Sequence, residues 1–365
     1  LALSAVNIIF PATMIIGAAG FMLGTGGSAI VARTLGEGDH ELANRYFSMI
    51  IYSVIILGVI LSVACAIFIE PIARLSGASD LLMDDCIAYG RIMMLGSAAF
   101  MLQVSFQSFL VVAEKPHMGL VLSISAGLTN MVLDYVFIAV FEMGVVGAAL
   151  ATVAGYCVGG LIPLVYFFRA SPDRLCLSKT QFYPKEFLHT CTNGSSELMS
   201  NISASIVGIL FNIQLMRIIG EAGVAAHSVM MYVDFVFIAA FLGFSVGSAP
   251  IVSYHYGAAN HSELKNVFRK SITIIAVTSV VMVLISELLS RPLSFAFVGY
   301  DADLLDMTVH GFRLFALCYF FCGINIYASA FFTALSNGII SAFISFMRSL
   351  VLRGGLVLLM PIWLG

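Results

Sequence analysis

Long apolar runs separated by short polar turns set the rhythm of this chain. Ile50 to Ile69, Ile202 to Ile219 and Ile272 to Ile285 are almost free of charge, and they approach the roughly 20 residues that a helix needs to cross the hydrocarbon of a bilayer. Apolar residues follow one another instead of alternating, which predicts membrane helices and not barrel strands. Turn residues and charged loops divide the sequence into about ten spans, at 2–34, 46–69, 88–113, 118–141, 144–168, 188–218, 223–256, 267–289, 308–334 and 338–364. The one long polar stretch, Arg169 to His189, holds Pro172, Asp173, Arg174, Lys179, Pro184 and Lys185 and reads as a linker.

The pattern also repeats. Gly26-Gly27-Ser28-Ala29-Ile30-Val31-Ala32, followed by Gly36-Glu37-Gly38-Asp39-His40 and Glu41-Leu42-Ala43-Asn44, recurs as Gly247-Ser248-Ala249-Pro250-Ile251-Val252-Ser253, then Gly257-Ala258-Ala259-Asn260-His261 and Glu263-Leu264-Lys265-Asn266. The offset is 221 residues at the glycine, from Gly36 to Gly257, and 222 after one inserted residue. The expected fold class is an all-α polytopic membrane protein made of two homologous six-helix bundles. The N-terminal helical lobe covers 1–168, a linker 169–187 and the C-terminal helical lobe 188–365. The offset places the partner of 188–218 before residue 1 and the partner of 144–168 past the end. The reading is therefore a parent of about twelve helices, of which the chain carries the second to the eleventh; a ten-helix protein is the alternative. Such a duplication is the usual build of a secondary transporter, with the substrate path between the halves.

Composition agrees. The 365 residues are 60% hydrophobic and 10% charged, with a mean hydropathy of +1.02, far from the about 25% charged residues of soluble domains. The net charge of −3 is spread over the loops and gives no nucleic-acid surface. Cys65, Cys86, Cys157, Cys176, Cys191, Cys318 and Cys322 lack metal-ligand spacing, and Leu1-Ala2-Leu3 opens without the basic head of a cleavable signal. With the loop at Arg33 and Arg45 cytoplasmic, Lys115, the linker basics, Lys265, Arg269 and Lys270 fall on the same side. Asp80, Asp84, Asp85, Glu142, Glu221, Asp301, Asp303 and Asp306 fall opposite, with only Arg74, Arg91, Arg217, Arg291 and Arg313 on or near that side, which satisfies the positive-inside rule. Both copies of the repeated loop then face one side, so the repeat is of the parallel kind. A multi-pass protein of the cell membrane is expected, acting as a monomer.

A charge at mid-bilayer costs at least about 2.5 kcal/mol, so one that persists usually faces an internal cavity. Asp134 lies four residues after Asn130, on the same helix face, where the amide can bond the carboxylate and share a proton or sodium ion; the alternative is an acid that only ties helices together. Glu197, with Asn201 four residues on, is the corresponding candidate in the second half, unless it merely complements a helix dipole near the interface. Asp234 is deep enough to count as intramembrane, and Arg348 and Arg353 in the last span can supply countercharges. Gln103 and Gln107, with Asn325 near the matching place of the second half, either line a substrate path or bond neighbouring helices. Phe106 and Tyr327 belong to an aromatic set that would suit flat apolar cations, or simply pack. Pro11 and Pro250 are expected to interrupt their helices.

No P-loop, metal-binding histidine pair or nucleophile elbow is present in the sequence. An intramembrane enzyme would need paired groups such as His227 and Asp234, seven apart on one face; the expectation is no enzyme, no catalytic residue, no metal and no cofactor.

Four segments, Ala32-Arg33-Thr34-Leu35-Gly36-Glu37-Gly38-Asp39, Asn130 to Ile138, Gly147-Ala148-Ala149-Leu150-Ala151-Thr152 and Asn193-Gly194-Ser195-Ser196-Glu197, resemble the multidrug and toxic compound extrusion (MATE) family, bacterial type, in order and spacing. The resemblance implies a twelve-helix fold, a cleft of alternating access, and export of organic cations and drugs against entry of H⁺ or Na⁺. It places Asp134 at the fifth-helix acid implicated in coupling. Glu197 matches a seventh-helix acid loosely, because the family carries that carboxylate near where Asn201 stands. A lipid-linked oligosaccharide flippase of the same superfamily is the alternative, and it would call for a more basic cavity than Arg348 and Arg353 alone provide.

Overall fold

The computed structural model describes residues 2–76, 78, 80, 82–171 and 174–364, with the side chains of residues 2–4, 7, 221 and 364 excepted. Pro172 and Asp173 of the linker, and the Glu221 side chain, lie outside the described residues. In order, the helices are α1 (Ala2–Gly36), α2 (His40–Ile67), α3 (Ile69–Leu75), α4 (Met83–Val112), α5 (Pro116–Asp134), α6 (Gly144–Arg169), α7 (Pro184–Ile218), α8 (Glu221–Gly257), α9 (His261–Val298), α10 (Ala302–Ala316), α11 (Tyr319–Ala334), α12 (Gly338–Phe346) and α13 (Gly355–Leu364). Helix α5 runs on as a π-helical segment, Tyr135–Val140, and a second π-helical segment, Met347–Gly354, joins α12 to α13. Among the described residues nine helices are long and apolar enough to cross a bilayer. Helices α10 and α11, bent by 48° at a short break, are together also long and apolar enough, which makes ten if the pair counts as one span. Helices suit this setting because each satisfies its own backbone hydrogen bonds, which lipid cannot do.

The helix bounds depart from the hydropathy runs where polar residues extend them. Helix α9 begins at His261, ahead of the apolar stretch, because the Asn260 side chain accepts a hydrogen bond from the Glu263 backbone N–H at 3.1 Å. Asp39 caps α2 in the same way, through the Leu42 N–H at 2.9 Å. Pro11 and Pro250 do not interrupt anything: α1 and α8 continue through them. In a packed bundle, neighbouring helices and nearby polar groups compensate the missing bond. The cap predicts its own test. Asp39→Ala and Asn260→Ala are each expected to cost about 1 kcal/mol, read as a lower unfolding midpoint in detergent; an unchanged midpoint would show that the caps are idle.

The duplication extends to backbone detail. Helices α1 and α8 end in the same hydrogen-bonded turn, Asp39 N–H to Thr34 O at 3.3 Å and Asn260 N–H to His255 O at 3.0 Å, with the left-handed residue at Gly38 (φ 88°) and Ala259 (φ 52°). Helices α4 and α11 do likewise, Lys115 to Leu110 at 2.8 Å and Asn337 to Phe332 at 2.9 Å, about Glu114 (φ 58°) and Ser336 (φ 59°). Turns of this kind satisfy the last carbonyls of a helix. All four lie at the end of the bundle where the linker joins α6 to α7, called the linker side below.

Each half has its own core. In the first lobe Phe47 packs edge-on against Phe109 and Phe167, with ring centroids 4.9 Å away in both cases, over Ile50, Ile51 and Met101. In the second, Phe237, Phe241, Ile275, Phe312, Tyr319 and Tyr327 form a separate cluster. Outward faces such as Ile56, Val59, Ile60 and Val63 of α2 are exposed and apolar, which suits contact with lipid tails.

The linker is held by side chains of α2. Asn44 accepts from the Cys176 N–H at 3.0 Å and donates to the Arg174 carbonyl at 3.2 Å. Ser48 Oγ accepts from the Ser178 N–H at 2.8 Å, and Thr180 Oγ1 donates to the Arg45 carbonyl at 2.8 Å. Tyr183 sets its ring edge-on to Tyr46, centroids 5.2 Å apart. Cys176 is buried, and burial pushes its thiol up from the ordinary range, so little of the reactive thiolate forms near neutral pH. Asn44→Ala removes the bonds to the Arg174 carbonyl and to the buried Cys176 N–H, at a cost of roughly 1–3 kcal/mol. Trypsin is then expected to cut sooner at Arg174 and Lys179, and alkylation of Cys176 to speed up; unchanged rates of both would refute the clasp.

Candidate functional site

The two lobes meet where helices have no side chains to keep them apart. A methyl group on Gly36 would collide with the Tyr254 carbonyl oxygen, and one on Gly257 with the Arg33 carbonyl oxygen. These contacts are reciprocal, since the repeat offset carries Arg33 to Tyr254 and Gly36 to Gly257. Gly26 likewise meets the Thr190 carbonyl and the backbone of Gly194, and Gly194 meets the Met22 carbonyl. The Arg33 guanidinium lies 5.6 Å over the Tyr256 ring, a cation–π contact across the pseudo-twofold axis. All of these approaches belong to the linker-side parts of α1, α7 and α8, so that end is closed.

In the first lobe, α5 carries Asn130 and Asp134. The Asn130 amide donates to Thr152 Oγ1 of α6 at 3.3 Å, and Thr152 in turn donates to the Ala148 carbonyl at 2.9 Å. The amide side chain also interacts with the Asp134 carboxyl, and Tyr89 of α4 lies within its electrostatic reach. Gly155 makes this approach possible, because a Cβ there would press on the Ala126 carbonyl and Asn130. Asp134 is half-buried and ends the regular α-helix, immediately before the π-helical turn. At about 1.5 Å per residue it stands roughly 27 Å from Pro116, in the half of the lobe remote from the linker side and not at the midplane. Single π turns inside helices often occur at functional sites.

The second lobe holds a denser polar cluster. Glu197 is not a residue of the first turn: α7 begins at Pro184, which puts the acid roughly 20 Å along the helix. Asn201 does not bond its carboxylate; the amide donates to the Glu197 backbone carbonyl at 2.8 Å. Arg348 lies within electrostatic range of Glu197 and places Nη2 3.5 Å from Ser200 Oγ. Asp234 is 2% exposed and is neighboured by Tyr319 and Arg353. Arg353 stacks 5.8 Å over the Phe315 ring. His227 stacks on Phe211 with centroids 4.7 Å apart, which aims it at packing and not at Asp234.

The remaining candidates divide. Gln103 and Gln107, with Phe106, Leu110, Gly119, Leu122, Ser123 and Gly159, line a narrow recess of about 10 Å³ between α4, α5 and α6, and Gln103 Oε1 is buried there without a hydrogen-bond partner. Phe106 and Tyr327 are otherwise buried in the two cores, Phe106 stacked on Phe167 at 5.5 Å and Tyr327 beside Phe331 at 5.8 Å. Asn325 is half-buried on α11. The structure thus brings Asn130 to Asp134, Arg348 to Glu197 and Arg353 to Asp234, in three places and not one. Sequence reasoning passed over Tyr89, Thr152, Ser200 and Tyr319. Two of these, Tyr89 and Tyr319, are polar-tipped residues in apolar spans, which is the signal that could have raised them.

Residues 1–136 and 198–357 match the MatE family. The multidrug export protein MepA of Staphylococcus saprophyticus is 25% identical over 329 residues, covering 88% of this chain and 72% of that protein. MepA of Staphylococcus haemolyticus is 24% identical over 277 residues, covering 75% and 61%. The fold superimposes with a TM-score of 0.91, at 24% identity and over 98% of this chain and 80% of the other, on the outward-facing conformation of a multidrug resistance MATE family transporter of the MOP superfamily. With its nine described apolar spans, the protein is a multi-pass protein of the cell membrane. By the extent of the sequence match and by its duplicated helical lobes, the chain belongs to the MatE family of membrane transporters.

Proposed function

We propose that the protein exports organic cations and drugs in exchange for H⁺ or Na⁺, as a monomer, by alternating access between lobes 1–168 and 188–365 joined by the linker 169–187. The observation that carries this reading is the half-buried Asp134, held beside Asn130 at the start of a π-helical turn in a span with no lysine or arginine. A carboxylate in that setting changes its bonding when it takes a proton or an ion, and the π turn is a local irregularity able to respond. Glu197, Asn201 and Asp234 supply further acid and amide groups in the second lobe, while Gln103, Gln107, Asn325, Arg348 and Arg353 are the polar groups available to cargo. Exchange requires that ion and cargo prefer different states, because equal affinity for both shifts no population. The relatives are themselves multidrug export proteins, which supports the cargo class.

The test is growth of a pump-deleted bacterium expressing the protein on a panel of cationic dyes, with and without a sodium gradient. Resistance to several unrelated dyes is expected. Susceptibility equal to that of the empty strain on every dye would overturn the reading.

A further inference from the structure

At the linker side of the first lobe, the linker and α2 enclose an open groove of about 250 Å³, lined by Arg45, Lys179, Thr180, Gln181 and Tyr183. None of these residues belongs to the candidate ion or cargo groups. The groove exists because the linker is fastened there. Besides the bonds from Ser48 and Thr180 to the facing backbone, the Tyr183 N–H donates to Met49 Sδ at 3.2 Å. Both walls therefore stand in place before anything binds, and a preformed site loses little ordering entropy on binding.

The groove is cationic. Lys179 is exposed and makes no ion pair among the described residues. Arg45 shares its charge with Glu41 one turn earlier, but that pair is exposed, at 45% and 79% of the two side chains. Exposed pairs of this kind contribute little, so the guanidinium is available to a second acceptor. The Tyr183 side chain meets Arg45, and Gln181 is exposed. Glu186, another acid near Tyr46, is not among the lining residues. A guanidinium, an ammonium, a phenol and an amide are donors that suit the oxygens of a phosphate ester.

Apolar surface continues from the groove. Tyr52, Ile56, Val59 and Val63 of α2 follow Arg45 by seven, eleven, fourteen and eighteen residues and are all exposed. At 3.6 residues per turn they stand within about 40° of Arg45 on the helix, and Tyr52 to Val63 cover roughly 16 Å of its axis. That is about the hydrocarbon depth of one leaflet. Phe182 and Leu188, exposed on the linker and the start of α7, add apolar surface at the level where aromatic residues meet the bilayer interface. A soluble phosphate has no use for such a track. A lipid does.

We propose that this groove binds the head group of an anionic phospholipid, with the phosphate between Arg45 and Lys179 and the acyl chains along the outward face of α2. The basic side of a membrane protein is the side that faces anionic lipid, and basic pockets there hold such head groups. The inference is independent of the exporter reading, because it concerns the lipid around the first lobe and not the cargo.

The experiment titrates the purified full chain in neutral detergent with dioleoyl phosphatidylglycerol or dioleoyl phosphatidylcholine, and measures retained lipid by native mass spectrometry. One phosphatidylglycerol is expected to bind about tenfold tighter than phosphatidylcholine. Arg45→Gln and Lys179→Gln should each weaken phosphatidylglycerol about fivefold and leave phosphatidylcholine unchanged. Lys265→Gln, which removes an exposed cation of the linker side outside the groove, should change neither lipid. Glu41→Gln releases Arg45 and should tighten phosphatidylglycerol, a gain that misfolding does not imitate. Equal affinity for the two lipids, an effect of Lys265→Gln as large as that of Lys179→Gln, or no gain in Glu41→Gln overturns the proposal. So does binding of inorganic phosphate as tight as that of phosphatidylglycerol, which would make the site one for a soluble anion.

Discussion

Replacing Gly257 with leucine is expected to reduce ion-driven export roughly tenfold to hundredfold while the protein still reaches the membrane. The cause is backbone and not chemistry. Gly257 and Gly36 face the Arg33 and Tyr254 carbonyls in a reciprocal crossing of α1 and α8, with no room for a Cβ on either. A bulky side chain there keeps the lobes from closing at the linker side, and a transporter that cannot close one end cannot alternate. Gly36→Leu should behave the same way, because the two positions are related by the repeat. Cys191 gives an independent readout. It is half-buried on α7 next to Thr190, whose carbonyl receives Gly26, so a membrane-impermeant maleimide added from the linker side should label it faster in both variants. Wild-type turnover together with unchanged labelling would refute the closure.

Asp134→Asn should abolish coupled export in vesicles, by about tenfold at least, without loss of protein from the membrane. The substitution keeps the size and one acceptor of the side chain but removes the charge that a proton or sodium ion would neutralise. Its neighbourhood explains why no other group takes over. Asn130 is committed to Thr152, Tyr89 is a neutral phenol, and no basic residue lies in Pro116–Val140 apart from His117 at its first turn. Facilitated movement of dye down its own gradient should survive better than movement driven by an ion gradient. A variant that still concentrates dye on an imposed pH or sodium gradient would remove Asp134 from the mechanism.

Much of this architecture is legible in the sequence because lipid imposes it. Bilayer thickness fixes span length, so the apolar runs locate each span, and the repeated loops at Gly36 and Gly257 announce the duplication in the residues themselves. The break at Leu317–Cys318 is not legible, since the residues around it, Leu314 to Phe321, are all apolar and hydropathy carries no record of direction. The π-helical segments escape for the same reason: one extra residue in a turn changes which side chains align, not how greasy the window is. Asn201 is misleading because spacing puts it near Glu197 without saying whether it meets the carboxylate or, as it does, the backbone carbonyl. Phe106 and Tyr327 show the limit most plainly. In a membrane protein an aromatic facing lipid, cavity or core has the same neighbours in sequence, and only packing decides among them.

The strap of residues 174–183 is fastened to α2 by Asn44, Ser48 and Arg45, so under the proposed alternating access it would travel with the first bundle. Its length therefore offers no slack between the halves. Tyr183 is held as well, by its ring on Tyr46 and its N–H on Met49 Sδ at 3.2 Å, so the connection is still tied to α2 where Pro184 turns it into α7. That junction opens the helix whose Thr190 and Gly194 meet α1 at Gly26 and Met22, so the anchor of the strap and the tightest crossing of the two bundles share the linker side.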